Sequence, residues 1–238
     1  MAIARGLGFG QQHSAFEVAS VRPVDISTLG GLISTDIGSV RGDQIKFENA
    51  TLSDCIRFAY GMASDSQIVG PDWIRSKQFL YDIGAKAAPG TSRQQFQFMM
   101  QTLLSERFKL VVRREPKEMS YYALIVAKGG PKMRSVEELP EGFQGTTHGG
   151  QIDSILEMPM LAYLLSRFER EHPIIDETGL NGIYRVKLQW ALEQDADSSS
   201  GPSLFTALDE QLGLKLEGRK GPVEVLVVVS ADRVPTEN

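Results

Sequence analysis

The side chains that could serve as nucleophile and base in this chain are serines and histidines scattered over its second part. A serine hydrolase needs a hydroxyl, a histidine that takes its proton and a carboxylate that orients the histidine, and such triads are defined in space rather than by sequence order. The candidates for an esterase or lactonase site are Ser154, Ser166, His148, His172 and Asp176. Their spacing does not select one combination, so a hydrolase is kept as an alternative.

The chain lacks the motifs that mark common catalytic and cofactor sites. It has no Gly-x-Ser-x-Gly elbow, no phosphate-binding loop of the Gly-x-x-x-x-Gly-Lys-Ser/Thr type and no dinucleotide fingerprint between a strand and a helix. Its three histidines stand apart, without the spacing of metal ligands. The single cysteine, Cys55, lies among apolar residues of a predicted helix, where a thiol is usually buried. We therefore predict no metal and no cofactor.

Aromatic and acidic residues near one turn are the candidates for ligand binding. Gly70-Pro71-Asp72-Trp73-Ile74 follows a short predicted strand, and Tyr60 ends a predicted helix. Gly and Pro supply the dihedral angles of a tight turn, and Trp73 can anchor that turn on the core. Alternatively, Tyr60, Asp72 and Trp73 line a groove in which a peptide, glycan or small ligand stacks. The sequence leaves both interpretations open.

Composition places the chain among globular proteins and excludes some partners. The 238 residues are 42% hydrophobic and 23% charged, with a net charge of -5. A negative net charge gives no electrostatic reason to bind nucleic acid or an anionic membrane, and no apolar run is long enough to span a bilayer. Residues 1–14 resemble the remnant of a secretory signal, or an added tail, so we expect a periplasmic or secreted protein.

The pattern of elements predicts an α+β protein made of two pseudo-repeated β-α-β-β-α-β-β halves, with helices packed on mixed or antiparallel sheets. Thr51 or Ser53 can cap the first helix, and Thr91 or Ser92 the second. The elements of the first half are a strand from 45, a helix at 52–60, strands at 67–69 and 79–83, a helix from 92, and strands at 108–112 and 122–126. Those of the second half are a segment at 149–152 that corresponds to 42–45, a helix at 160–168, strands at 173–175 and 184–188, a helix from 202, and strands at 214–216 and 225–229. We place the halves at 15–130 and 149–238, joined by a Gly- and Pro-containing connector at 131–148.

Several segments along the chain carry a family resemblance when they are taken together. They are Phe16-Glu17-Val18-Ala19-Ser20-Val21-Arg22-Pro23, Arg57-Phe58-Ala59-Tyr60-Gly61, Gly70-Pro71-Asp72-Trp73-Ile74, Leu104-Ser105-Glu106-Arg107-Phe108-Lys109-Leu110, Tyr122-Ala123-Leu124-Ile125-Val126-Ala127-Lys128-Gly129-Gly130-Pro131-Lys132, Asp176-Glu177-Thr178-Gly179-Leu180-Asn181-Gly182-Ile183-Tyr184 and Gly201-Pro202-Ser203-Leu204-Phe205-Thr206-Ala207-Leu208. Together these segments resemble a soil-associated family of unknown function that is expanded in acidobacterial genomes. The resemblance covers about residues 15–237.

The resemblance implies an exported protein of a soil bacterium, usually made with a cleavable signal peptide. Each half is also loosely similar to the short N-terminal domain of secretins and TonB-dependent receptors, whose units mediate contacts in the periplasm. A likeness of fold does not assign function. Together with the missing catalytic motifs, it favours a binding or sensing module of the cell envelope whose partner is an envelope protein, a peptide or a small ligand.

Overall fold

The computed structural model describes residues 15–28, 35–138, 145–148, 150–169, 172–191 and 201–237. The predicted tail at 1–14 lies outside these ranges. The described residues form α-helices together with antiparallel and mixed sheets, which confirms the predicted α+β class. None of the helices in these ranges has the length and hydrophobicity that crossing a membrane requires.

The chain divides into two compact units. Within the described ranges, the first unit takes its residues from before Ala63, from Ile68–Arg113 and from after Val225. The second unit consists of Ala63–Gln67 and Arg114–Val225. Each unit is therefore assembled from separate stretches of sequence, and two long strands contribute residues to both.

The first unit contains a four-stranded antiparallel sheet and two helices. Its elements are β1 (Val18–Pro23), β2 (Asp36–Arg41), β3 (Gln44–Ala50), α1 (Leu52–Tyr60), β4 (Ile68–Val69), β5 (Tyr81–Lys86) and α2 (Arg93–Phe108). The sheet has the order β1-β5-β3-β2. On β5, Tyr81, Ile83 and Ala85 are buried whereas the alternate residues are exposed, as expected for a strand with one face against a core.

Both helices of the first unit begin where the sequence provides a capping residue. Thr51 and Asp54 form a reciprocal capping box at the start of α1, and Ser92 and Gln95 form one at the start of α2. Such caps satisfy backbone N–H groups that have no partner within the helix. The α1 helix ends at Gly61, whose φ of 66° suits a residue without a side chain.

The second unit has its own four-stranded antiparallel sheet, in the order β7-β11-β9-β8. Its elements are β7 (Arg134–Val136), β8 (Thr146–His148), β9 (Gln151–Leu156), α3 (Met158–Leu165), β10 (Ile174–Asp176), β11 (Ile183–Gln189) and α4 (Leu204–Ala207), which continues as a π-helical turn at Leu208–Leu212. The helices cover a core that includes Ile152, Leu161, Val186 and Leu208.

Two long strands, β6 (Val111–Val126) and β12 (Leu214–Ser230), are neighbours in a third sheet of order β10-β6-β12-β4. In the first unit, β4 pairs in parallel with Leu226 and Val227 of β12, and Leu226 and Val228 join the core. In the second unit, β10 pairs in parallel with β6, and Leu124 joins the core. Each core therefore includes residues that the sequence analysis assigned to the other half.

The element order β-α-β-β-α-β occurs from β3 to β6 and again from β9 to β12. The duplication and its boundaries stay predictions, because the compact units follow contacts rather than sequence order. Two details differ from expectation. The predicted connector at 131–148 carries β7 and β8, which are only three residues long and too short to show a periodic pattern. In each half two predicted strands are replaced by one: those at 108–112 and 122–126 by β6, and those at 214–216 and 225–229 by β12.

Replacing a leucine on either helical stripe should destabilise the protein. Leu104 and Leu208 are fully buried, so Leu104→Ala and Leu208→Ala should each lower the free energy of unfolding by about 2–5 kcal/mol. Ser105 is exposed on the same helix as Leu104. Ser105→Ala should therefore change the free energy of unfolding by less than about 0.5 kcal/mol. Urea unfolding followed by circular dichroism measures all three. A cost for Leu104→Ala no larger than that for Ser105→Ala would contradict the packing described.

Neither half should fold independently. A fragment of residues 15–138 lacks Leu226 and Val228, and a fragment of residues 139–237 lacks Leu124, so each loses buried residues of a core. We expect no cooperative thermal transition from either fragment alone and a cooperative transition when the two are co-expressed. Thermal melts followed by circular dichroism, with the intact chain as control, measure this. A cooperative transition of residues 15–138 alone, close to that of the intact chain, would contradict the prediction.

Candidate functional site

The outer edge of β1 is the most regular open strand edge in the first unit. β1 pairs with β5 in an unbroken antiparallel register from Val18↔Lys86 to Pro23↔Tyr81, and the N–H of Val24 donates to the carbonyl of Leu80 at 2.9 Å. Alternate residues of an antiparallel strand direct their backbone groups to the same side. The backbone groups of Ala19 and Val21 therefore point away from β5, and they meet no strand among the described residues.

Helix α2 lies beside β1, and the two elements border an open depression of about 210 Å³. Phe16, which precedes β1, contacts Phe96 of α2 with 6.1 Å between the ring centroids, and this contact holds the start of the strand near the helix. The side chains that line the depression include Phe16, Glu17, Ala19, Met99, Leu103 and Glu106. An open strand edge and a helix face thus share one groove.

Some polar and charged side chains around the groove have hydrogen-bond partners, and others do not. Arg107 also lines it, but its guanidinium donates to the backbone carbonyls of Thr236, at 3.3 Å, and Glu237. The Thr102 hydroxyl donates to the carbonyl of Phe98 at 3.3 Å. The carboxylates of Glu17 and Glu106 form no hydrogen bond or ion pair with any residue in the described ranges. The groove therefore carries two carboxylates without such a partner in these ranges and one guanidinium, a net negative charge.

The Trp73 turn is a short 3-10 helix, Asp72–Arg75, that packs on the first core. Trp73 is half-buried and meets Phe79 edge to face, with 6.3 Å between centroids. The guanidinium of Arg233 lies 5.5 Å from the Trp73 ring and 4.5 Å from the Phe79 ring, a cation–π arrangement. Asp72 is exposed beside Trp73, and Tyr60 packs on the same core. The Trp73 ring, on which a ligand was expected to stack, thus already contacts Arg233 of the same chain.

Tyr81 fixes the segment that carries Arg233. Its hydroxyl donates to the backbone carbonyl of Arg233 at 2.7 Å. Burial is the main cause that raises the pKa of Tyr81 to about 12, so this phenol stays protonated and able to donate near neutral pH. Tyr81 also packs edge to face on Phe108, with 4.9 Å between centroids. The cover over Trp73 is therefore anchored in the core.

The residues predicted for a hydrolase have separate local roles. Ser166 is buried, and its hydroxyl donates to the carbonyl of Ala162 at 2.9 Å and accepts from the N–H of Ile174 at 2.8 Å. Asp176 accepts from the N–H and hydroxyl of Thr178 within a turn. The ring of His172 lies against Tyr122 at 5.5 Å.

The remaining hydrolase candidates are Ser154, on β9, and His148, which ends β8 and whose side chain is outside the described structure. Within the described ranges, no hydrogen bond joins Ser154 or Ser166 to His172 or Asp176. The structure thus does not assemble these described candidates into a hydrogen-bonded triad.

Metal-binding and thiol chemistry have little support in the described structure. No group of three or more His, Cys, Asp or Glu side chains there is arranged to hold a metal ion. Cys55 is fully buried, and burial raises the pKa of its thiol well above the ordinary value. A thiol with a raised pKa is a poor nucleophile near neutral pH because its thiolate is rarely formed. Cys55 is part of the core.

An ion-pair network on the second unit was not visible in the sequence. Tyr121 donates to Glu177 at 2.7 Å, and this hydrogen bond raises the pKa of Tyr121. Arg219 donates to Glu177 and Glu217, and Lys215 donates to Glu217 at 3.0 Å, which lowers the pKa of Glu217. Two cations balance two carboxylates. Exposed pairs of this kind contribute little stability individually, and here they leave no net charge for a ligand.

Removing Arg233 should expose Trp73. Arg233→Ala deletes the guanidinium over the indole, so acrylamide should quench the tryptophan fluorescence more efficiently than in the wild type. The second tryptophan, Trp190, is 6% exposed and should contribute equally in both proteins. Arg219→Ala, which removes an arginine of the second unit, serves as the matched control. Quenching that is the same in Arg233→Ala and wild type would show that the cation does not shield the ring.

Comparison with known proteins gives a family without an assigned activity. No curated protein and no solved structure matches the chain. The family model described as "Protein of unknown function (DUF3738)" matches residues 53–231. This match spans α1 to β12, and so includes elements of both compact units. The chain belongs to the DUF3738 family of proteins of unknown function.

Proposed function

We propose that this protein is a non-catalytic binding or sensing module of the cell envelope. The observation that carries the proposal is the open edge of β1, where the backbone groups of Ala19 and Val21 face away from the sheet beside a helix. Main-chain pairing at such an edge gives affinity without specialised side chains. The partner is an envelope protein or a peptide taken up as an additional strand.

Location in the periplasm or outside the cell is part of the proposal. It is supported by the resemblance of the sequence to exported soil-bacterial proteins and by the looser similarity of each half to the short N-terminal domain of secretins and TonB-dependent receptors. The esterase or lactonase alternative finds less support, because the Ser166 hydroxyl is buried and engaged with the backbone.

Blocking the β1 edge should abolish partner capture. Proline has no N–H, and at position 19 it removes a donor that faces away from β5, so Ala19→Pro should spare the β1–β5 ladder. We expect wild-type protein immobilised on beads to capture an envelope component by cross-linking, Ala19→Pro to lose it, and Trp73→Ala to retain it. Thermal melts control for folding. Equal capture by wild type and Ala19→Pro would exclude the edge, and loss only in Trp73→Ala would move the contact to that turn.

The hydrolase alternative is tested separately with a panel of ester and lactone substrates. Ser154→Ala, Ser166→Ala, His148→Ala and His172→Ala are assayed beside the wild type, with circular dichroism to verify the fold. We expect no saturable turnover by the wild type. Turnover that disappears in one folded variant would replace the binding proposal by the hydrolase.

A further inference from the structure

We infer that the groove between β1 and α2 binds an extended peptide segment as an additional strand and takes a Lys or Arg side chain of that segment between Glu17 and Glu106. This inference rests on the proposed binding function and specifies the class of its partner. It concerns residues of the first unit that had no role in the sequence-based site prediction.

The backbone of β1 is prepared for a further strand. Ala19 and Val21 each direct an N–H and a carbonyl outward, and the register behind them is unbroken over the strand. The opposite edge of the same sheet is different. β2 shifts its register between Ile37 and Ser39, and Gly38 between them has a φ of 104°. Such irregularities are a usual means of preventing edge pairing, so the sheet has one blunted and one regular edge.

The helix side of the groove offers a small apolar area beside its more extensive polar surface. Met99 and Leu103 stand one turn apart on α2, and Phe16 and Ala19 complete the apolar lining. The depression, at about 210 Å³, is several times the roughly 30 Å³ that one water occupies in the liquid. Lysine and arginine commonly lay their methylene stems on apolar surface while the charged end stays in a polar setting.

The charges of the groove select a cation at the end of that side chain. Glu17 and Glu106 line the depression from its strand and helix sides. Arg107 also lines the depression and keeps its positive charge, but its guanidinium donates to the carbonyls of Thr236 and Glu237. Two carboxylates against one guanidinium leave a net negative charge. This charge attracts a partner lysine or arginine and repels a glutamate at the same place. The net charge of the whole chain, -5, has the same sign.

Three short peptides test this inference on the full chain. Each is a fluorescein-labelled, acetylated and amidated segment of alternating Thr and Val, with Lys, Ser or Glu at its centre, and binding is followed by fluorescence anisotropy. We expect the Lys peptide to bind at least about ten-fold more tightly than the Glu peptide, a difference that shrinks as salt screens the charges. The double variant Glu17→Gln/Glu106→Gln should reduce this preference to about two-fold or less, and Ala19→Pro should weaken all three peptides.

Each other outcome overturns the inference in a definite way. Equal binding of the three peptides, lost in Ala19→Pro, would reject the basic side chain but leave the proposed edge-binding function intact. A Lys preference unchanged in the double Gln variant, which conserves size and fold, would place the cation elsewhere. No binding by any peptide would reject the groove as a peptide site, while the envelope capture experiment would still decide the proposed function.

The same proteins distinguish other occupants of the edge. Sedimentation of the wild type as a dimer that Ala19→Pro dissociates would replace the peptide by a second copy of the chain. Binding of the Lys peptide only after deletion of residues 1–14 would replace it by the chain's own amino-terminal segment. A monomeric wild type that binds the Lys peptide with or without residues 1–14 supports an external segment.

Discussion

The burial of β12 residues in the first unit, and of a β6 residue in the second, is the constraint on which the architecture depends. Leu226 and Leu124 are both fully buried, yet each is distant in sequence from most of the core that it completes. Fixing such long-range contacts has a cost in chain entropy, which burial of apolar surface offsets. The core of each unit therefore needs residues from distant parts of the chain. These cores support the antiparallel sheets, and with them the edge of β1.

The segments that follow the two long strands extend the same principle. After β6, the N–H groups of Ala127 and Lys132 donate to the carbonyls of Gly213 and Leu212, and the Lys132 ammonium donates to those of Asp209 and Glu210. A cation there suits the negative end of a helical segment. After β12, the N–H of Asp232 donates to the carbonyl of Phe108 at 2.6 Å. Residues of the recognisable segments at 104–110 and 122–132 thus close helix ends and hold strands in place.

Local chemistry explains what the sequence could and could not predict. Thr51 and Ser92 cap their helices by bonding residues three positions further along the chain, so short sequence motifs predict where these helices begin. The connection of 108–112 with 122–126 into one strand depends on pairing with β12, and the three-residue strands β7 and β8 depend on β11 and β9, so no local pattern shows them. The Trp73 turn was recognisable as a motif, but its cover, Arg233, comes from a distant segment. The groove was missed because Glu17 and Glu106 lie on different elements and because the edge position of β1 is a property of sheet order.

The contrast between β1 and β2 links the fold to its proposed use. A regular strand edge is a liability, since it can template unwanted pairing, and proteins commonly blunt it with bulges, charges or proline. β2 carries such a bulge, whereas β1 has its exposed charge and its proline only at its last two positions, Arg22 and Pro23, and keeps an unbroken register. Where a protein departs from a general rule of folding, such as the blunting of strand edges, a functional role is expected. The departure here coincides with an adjoining helix face and with two carboxylates that have no hydrogen-bonded or ion-paired partner among the described residues. That coincidence favours recognition of a strand over both catalysis and stacking at Trp73, where the chain's own arginine occupies the aromatic face.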